Sequence, residues 1–251
     1  MKAMVLAAGL GTRLRPLTDN RPKALVEVAG RTMLEITLER LWACGVREVI
    51  VNAHHHADML IDFLRSHDGF GMHVEVSREE ELLDTGGGLK KAAWFFSDSG
   101  SDEPFLVHNV DVLSTIDLEQ MVRVHQERGA LATLAVQDRV TSRYLLFDEQ
   151  GELCGRKAGN DREPELARPC AAAEPLAFAG IHAISPRLLR RLTEEGAFSI
   201  ITAYLRLAGE GERIGGFRAD AYRWRDLGRP EQVTLAAREI EEGLYRETGR
   251  R

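Results

Sequence analysis

The chain has 251 residues, 44% of them hydrophobic, with 33 basic side chains against 39 acidic ones and a formal net charge of −6. That size and composition suit one large α/β domain or two small ones and exclude a disordered chain. The acidic balance argues against general nucleic-acid binding, which needs a basic face, yet a local cluster such as Arg13, Arg15, Arg21 and Lys23 can still hold a phosphorylated ligand.

The first predicted element is a buried strand, Ala3-Met4-Val5-Leu6-Ala7-Ala8, which runs into the loop Gly9-Leu10-Gly11-Thr12-Arg13, with Pro22-Lys23 further on. Glycine has no Cβ, so such a loop brings backbone N–H groups close to phosphate oxygens. Arg13 and Lys23 add fixed positive charge where a triphosphate would lie. The loop is not a Walker loop, because no Gly-Lys-Ser/Thr follows. Nor is it the dinucleotide fingerprint, whose third glycine is Leu14 here.

Thr32 and Glu35 have capping-box spacing ahead of a helix with Leu34, Leu38, Leu41 and Trp42 on one face, which Gly45 ends. Val46 to Val51 reads as a strand, Ala57 to about Ser66 as a helix, and His73 to Val76 as a short strand. The acidic run Glu79-Glu80-Glu81 leads to Asp84-Thr85-Gly86-Gly87-Gly88, and a helix is expected from Gly88 to Phe96. Pro104 to Asn109 reads as a buried strand ending on Asp111, followed by a helix from Leu118 to Arg128 closed by Gly129 and a strand from Leu131 to Val136. This alternation predicts a mostly parallel sheet with helices on both faces and a ligand at the carboxyl ends of its strands. The Gly9–Arg13 loop and Asp111 both fall there.

From about Thr141 the pattern changes to strands joined by turns: Tyr144 to Phe147, Leu153-Cys154 and Phe178 to Ala183. Lys157 to Pro175 reads as a long polar loop. A strand over Ile214 to Phe217 or Tyr222 to Trp224 precedes Asp226, and a last helix is expected from roughly Pro230 to Tyr245, followed by a basic end. No internal repeat and no hexapeptide tail is visible.

Cys44, Cys154 and Cys170 show no C-x-x-C spacing, which points to a reducing compartment rather than a disulfide framework. The N-terminal apolar run is short and broken by Gly9, unlike a signal peptide. No run approaches the ~20 apolar residues of a membrane span. A cytoplasmic protein with no nucleic-acid or membrane partner is expected. The oligomeric state is open, since Val233, Leu235, Ala236, Ile240 and Leu244 of the last helix can pack on the body or on a second subunit.

Asp111 and Asp226 each follow a strand-like stretch, and Asp111 alone reads as a loop acid or helix cap. His54-His55-His56 lacks a zinc-ligand spacing, and His108 reads as a core histidine. No Ser-His-Asp or Cys-His pattern suggests a covalent nucleophile.

The string Leu6-Ala7-Ala8-Gly9-Leu10-Gly11-Thr12-Arg13-Leu14-Arg15-Pro16-Leu17-Thr18 with Pro22-Lys23 resembles the signature of the sugar-1-phosphate nucleotidyltransferases, and the resemblance extends from Lys2 to about Arg229. It implies a Rossmann-like three-layer α/β/α sandwich, with a mostly parallel mixed sheet and an inserted sugar-binding lobe. The expected organisation is a single domain over 1–251: about 1–140 for the nucleotide, about 141–229 for the sugar, and 230–251 as a C-terminal helix. The implied reaction joins a nucleoside triphosphate and a sugar 1-phosphate to give a nucleoside-diphosphate sugar and pyrophosphate. The attack at the α-phosphorus is in line, so the protein must position two anions and offset charge, with Mg²⁺ on carboxylate oxygens.

The resemblance also implies roles. Ala7, Ala8, Gly9, Gly11, Thr12 and Arg13 face the nucleotide, with Arg13 on the phosphates and the leaving pyrophosphate. Lys23 bridges the α-phosphate and the attacking sugar phosphate, and Asp111 and Asp226 hold Mg²⁺. Glu79, Thr85 and Gly86 belong to the base loop, while Asn109, Gly180, Glu174 and Lys157 are candidates for the sugar-phosphate side. Gly180 reads equally as an ordinary core-strand glycine, and Lys157 lacks the flanking glutamate and proline of many relatives. The usual Asn-Gly-Asp is Asn109-Val110-Asp111 here.

The form Asp84-Thr85-Gly86-Gly87-Gly88 resembles that of the bacterial uridylyltransferase branch of this family, and with the short length this resemblance favours UTP with N-acetylmuramate 1-phosphate. Mannose or heptose 1-phosphate with GTP, a phosphocholine-type cytidylyltransferase, and a catalytically silent nucleotide-sugar binder are the alternatives. A glycosyltransferase would need a D-x-D motif, and Asp111 is followed by Val112-Leu113.

Overall fold

The computed structural model describes residues 1–97, 102–159 and 162–245, so the expected basic end lies outside the described residues. The chain forms two compact units, one of residues 1–83, 108–116 and 222–251, the other of residues 84–107 and 117–221.

In chain order the elements begin with β1 (Lys2–Leu6), β2 (Glu27–Val28), β3 (Arg31–Thr32), α1 (Met33–Ala43), β4 (Glu48–Ala53), α2 (Ala57–Ser66) and β5 (His73–Arg78). The start of α1 is set chemically. Glu35 N–H donates to Thr32 Oγ1 at 3.1 Å, and the Glu35 carboxylate accepts from Thr32 N–H at 3.3 Å, which forms the expected capping box. Leu34, Leu38 and Leu41 are fully buried, whereas Trp42, expected on the same face, is 48% exposed and stacks under Arg47. In this unit β1 pairs parallel with β4, from Lys2↔Glu48 to Leu6↔Asn52, and β4 pairs parallel with β5 as far as Ala53↔Arg78. All three strands therefore end on one edge, where the Gly9 loop leaves the sheet.

The chain continues through α3 (Asp84–Lys91), α4 (Ala93–Ser97), β6 (Phe105–Asn109), β7 (Val112–Ser114), α5 (Leu118–Arg128), β8 (Ala132–Gln137), β9 (Arg143–Phe147), β10 (Leu153–Ala158), β11 (Glu165–Leu166), β12 (Glu174–Ile184), α6 (Ile200–Gly209), β13 (Ile214–Arg218), β14 (Trp224–Asp226) and α7 (Pro230–Glu241). In the second unit β8 lies between β12 (antiparallel) and β13 (parallel), and β9, β10 and β11 extend β12 in antiparallel steps. β12 bends where its register to β8 shifts between Phe178 and His182, and Gly180 there has φ +75°, a conformation suited to a residue without Cβ. In the first unit, β14 pairs antiparallel with β7 and sets Asp226 opposite Val112.

Several elements differ from the sequence expectation. The expected long loop from Lys157 to Pro175 holds β11, and its ends belong to strands β10 and β12. The last helix stops at Glu241 rather than near Tyr245. The helix expected from Gly88 begins instead at Asp84, and Gly86, Gly87 and Gly88 lie inside it. Glycine disfavours helix, but the helix start is held from outside. Gly86 N–H donates to Phe198 O at 2.9 Å, and Ile200 N–H donates to Thr85 Oγ1 at 3.0 Å, tying α3 to the start of α6.

A Cβ at Gly86 would collide with the Phe198 ring. Helix propensity alone predicts that Gly86→Ala stabilises the fold by about 1 kcal/mol. The collision predicts the opposite, a loss of about 1–3 kcal/mol, which urea unfolding of the variant measures directly.

Candidate active site

The Gly9 loop is built in layers. Gly11 takes a left-handed conformation (φ +64°), Leu14 N–H closes a tight turn on Gly11 O at 2.8 Å, and Thr18 Oγ1 donates to the same carbonyl at 2.9 Å. Leu14 is fully buried and anchors the turn, while Thr12 and Arg13 are exposed. A Cβ at Gly9 would stand 3.2 Å from Lys23 Nζ, so the lysine lies directly across the loop.

Lys23 Nζ is 3.0 Å from Asp111 Oδ2, and the two side chains are only 13% and 15% exposed. Burial pushes the Asp111 carboxyl upward, but Lys23, by charge and by hydrogen bond, then a backbone hydrogen bond and Arg13 outweigh it and hold the group below its ordinary range. Asp111 O accepts Leu227 N–H at 2.8 Å, next to Asp226 on β14. The strand carrying Asp226 is clamped to α7 by Arg225, whose Nε and Nη2 reach Glu239 at 3.0 and 2.5 Å.

Gly228 closes this side. Its N–H donates to Asp226 Oδ1 at 2.7 Å, and a Cβ would stand 2.7 Å from both that oxygen and Arg13 Nη2. The structure thus gathers Gly9, Lys23, Asp111, Arg13 and Asp226 around one edge of the first unit. Among the described residues no group of three or more His, Cys, Asp or Glu forms a metal cage. Two hard carboxylates on paired segments still fit a divalent cation of the Mg²⁺ type, which binds through one or two carboxylates and completes its shell with water and substrate phosphates.

Val110 precedes Asp111 and is 1% exposed; its N–H donates to Leu6 O at 3.1 Å. Asn109 Oδ1 and His108 Nε2 are buried without a hydrogen-bond partner in the structure. Burial, then the nearby charge of Arg40, lowers His108 to about 4, so the ring is neutral near pH 7. Such orphaned acceptors are uncommon in native interiors and mark places where a donor is missing.

Glu79 is 3% exposed; Asn52 Nδ2 donates to one of its oxygens at 2.7 Å and Leu83 N–H to the other at 3.0 Å. Asn52 Oδ1 in turn accepts the N–H groups of Ala7 (2.6 Å) and Ala8 (3.2 Å). Sequence reasoning missed Asn52. The available signal was a polar residue inside the apolar run Val49-Ile50-Val51-Asn52-Ala53.

The remaining candidates lie in the second unit. Thr85 and Gly86 hold the α3–α6 junction already described. Glu174 pairs with Arg218 at 2.5 Å beside a cavity of about 550 Å³. Lys157 sits opposite Tyr144, and Glu174 opposite Phe147. Tyr144 and Phe147 are three residues apart on β9, so Lys157 and Glu174 point to opposite faces and are offset by about 10 Å along the strand. The structure does not bring them together.

Two cations and two carboxylates at this edge of an α/β unit suit a ligand that carries phosphate groups. The profile of the nucleotidyl transferase family matches residues 2–151. The chain is 34% identical to the N-acetylmuramate alpha-1-phosphate uridylyltransferase of Caulobacter vibrioides, over 94% of each chain. It is 31% identical to the mannose-1-phosphate guanylyltransferase catalytic subunit beta of Danio rerio, over 92% of this chain but 62% of that one. Among solved structures, HddC from Yersinia pseudotuberculosis complexed with GMP-PN shares the fold at a TM-score of 0.75 and 21% identity, over 95% of this chain and 99% of that one. The chain belongs to the nucleotidyl transferase family, among its sugar-1-phosphate members. It has their α/β, Rossmann-like fold with a mixed sheet, and no helix among the described residues is long and apolar enough to cross a membrane.

Because Asp111 is depressed in the folded state, its pairing contributes stability fully above the ordinary carboxylate value of about 3.9, and that contribution is lost as pH falls through the lower folded value. Lys23→Met should therefore cost on the order of 1–3 kcal/mol near neutral pH, with the gap to wild type narrowing below about pH 4. Urea unfolding across pH measures it; a gap independent of pH would show that Lys23 does not hold the carboxylate charged.

Proposed function

We propose that this enzyme transfers a uridylyl group from UTP to N-acetylmuramate 1-phosphate or a closely similar sugar 1-phosphate. The observation that carries the reading is the 34% identity to the Caulobacter uridylyltransferase, over 94% of both chains. The mannose-1-phosphate guanylyltransferase of Danio rerio is nearly as similar over this chain and supports the second reading, GTP with mannose 1-phosphate.

In either case the loop Ala7-Ala8-Gly9 with Gly11 and Thr12 cradles the triphosphate, and Arg13 offsets charge on the β- and γ-phosphates as pyrophosphate leaves. Asp111 and Asp226 would hold a Mg²⁺ ion, which, when bound, offsets charge on the reacting phosphates. Lys23, paired with Asp111 in the free chain at 3.0 Å, turns its ammonium to the α-phosphate and the attacking sugar-phosphate oxygen. A charge already desolvated by the fold loses little further hydration when it engages a phosphate. Asn109, with its orphaned Oδ1, accepts a donor from the sugar. Thr85, Gly86 and Glu79 belong to the base side, and Lys157, Glu174 and Gly180 to the sugar side. The opposed faces of Lys157 and Glu174 make them alternatives rather than partners.

The test is pyrophosphate release with UTP, GTP, CTP, ATP or dTTP against a panel of sugar 1-phosphates and phosphocholine. UTP with N-acetylmuramate 1-phosphate should give the highest kcat/KM. A best pair of GTP with mannose 1-phosphate would replace the first reading by the second. On the productive pair, Asp111→Asn should lower kcat at least ~10²-fold, the scale of losing one transition-state charge contact, with an unchanged circular dichroism spectrum. Near-normal turnover of that variant would remove Asp111 from the metal site.

A further inference from the structure

Asn52 is the point at which the β1–β4 ladder stops. Backbone pairing runs as far as Leu6↔Asn52. Beyond it the Asn52 side chain takes over, and its Oδ1 accepts the N–H groups of both Ala7 and Ala8, the residues just before Gly9. Its Nδ2 donates to Glu79 Oε1 at 2.7 Å, and Glu79 Oε2 accepts Leu83 N–H at 3.0 Å. Glu79 is held at its backbone too: its N–H donates to Ala53 O at 2.7 Å, and its carbonyl meets His54 Nδ1 at 2.9 Å. Both side chains are 3% exposed.

The polarity of this relay is fixed. Backbone N–H groups only donate, so Asn52 must present its oxygen to Ala7 and Ala8 and its amide nitrogen to Glu79. Glu79 then has both oxygens engaged inside the protein and none turned to solvent. A carboxylate so placed holds the surrounding chain in position rather than presenting a free edge to a ligand. We propose that Asn52 and Glu79 are positioning residues for the nucleoside triphosphate, a buried amide–carboxylate relay that fixes the first residues of the phosphate loop relative to the 79–83 segment leading into the base loop. The inference rests on the nucleotidyl-transfer reading.

The fixed polarity supplies the test. Asn52→Asp sets a carboxylate against Glu79 at hydrogen-bond distance. Glu79→Gln sets an amide donor against either Leu83 N–H or Asn52 Nδ2. Each single variant leaves at least one buried group unsatisfied. The double variant N52D/E79Q restores every bond with the polarity reversed: a carboxylate accepts from Ala7 and Ala8, and an amide donates back to it while its oxygen accepts from Leu83.

Kinetics on the productive substrate pair, and calorimetric binding of UTP and GTP without the acceptor, read the outcome. Each single variant should raise KM and Kd for the triphosphate about 10-fold, equivalent to ~1.4 kcal/mol, with a smaller fall in kcat and an unchanged KM for the sugar phosphate. The double variant should return both constants to within about 3-fold of wild type, less than ~1 kcal/mol. Single variants that lower the melting temperature but leave triphosphate Kd unchanged would show a merely structural role and overturn the proposal. So would a folded double variant that fails to recover binding, and this arm decides if a single variant does not fold. A wild-type chain that binds triphosphate but turns over no pair overturns the catalytic reading alone, because the Kd comparison still judges the relay.

Discussion

The Lys23–Asp111 ion pair is the constraint on which the candidate site depends. Two charges at 13% and 15% exposure lose much of their hydration, and neither would be tolerated alone. Their mutual attraction makes the arrangement stable in the free chain. It also keeps the carboxylate ionised against burial and the ammonium over the Gly9 loop, where a Cβ would stand 3.2 Å away. The candidate site is thus pre-charged in the free chain, with each protein charge held by the other.

Glycine does specific work at two places, and in both the reason is approach rather than flexibility. At Gly228 the missing Cβ leaves room for the Arg13 guanidinium and the Asp226 carboxylate on the same spot. At Gly86 it leaves room for the Phe198 ring, while the Phe198 carbonyl receives the N–H groups that a helix start leaves orphaned. A glycine that lowers helix propensity therefore stands inside a helix because the contact outside it requires the gap.

This explains what the sequence makes legible and what it hides. Local signals read well: Thr32 and Glu35 state a capping box in four letters, and Leu118 to Arg128 with Gly129 states a helix and its end. The Gly9 loop and Asp111 are legible because each follows a largely apolar run, whereas Lys23 and Asp226 stand out only through the resemblance of their surroundings to a family signature. Features that depend on distant partners are not. The start of α3 needs Phe198; α6 was not anticipated, although Ser199 caps it, because six of its ten residues are buried and its polar face is narrow. That Lys157 and Glu174 diverge depends on the β9 register, which no single strand encodes. Asn52 looks ordinary in the sequence and Glu79 reads only as a base-side residue at the head of an acidic run; their link to each other shows only in their burial together.

Val110 shows the same logic from the opposite side. In place of the usual glycine, a β-branched residue suggests strain next to Asp111, and with it a silent binding protein. The structure removes the strain. Val110 donates its N–H to Leu6 O as a sheet residue does, avoids the left-handed region, and buries its side chain to 1% exposure. The substitution therefore adds apolar burial of roughly 1.5–3 kcal/mol at the strand end while leaving Asp111 free to meet Lys23. What glycine would offer at this position is room for a close approach, and Val110 fills that room with a buried side chain.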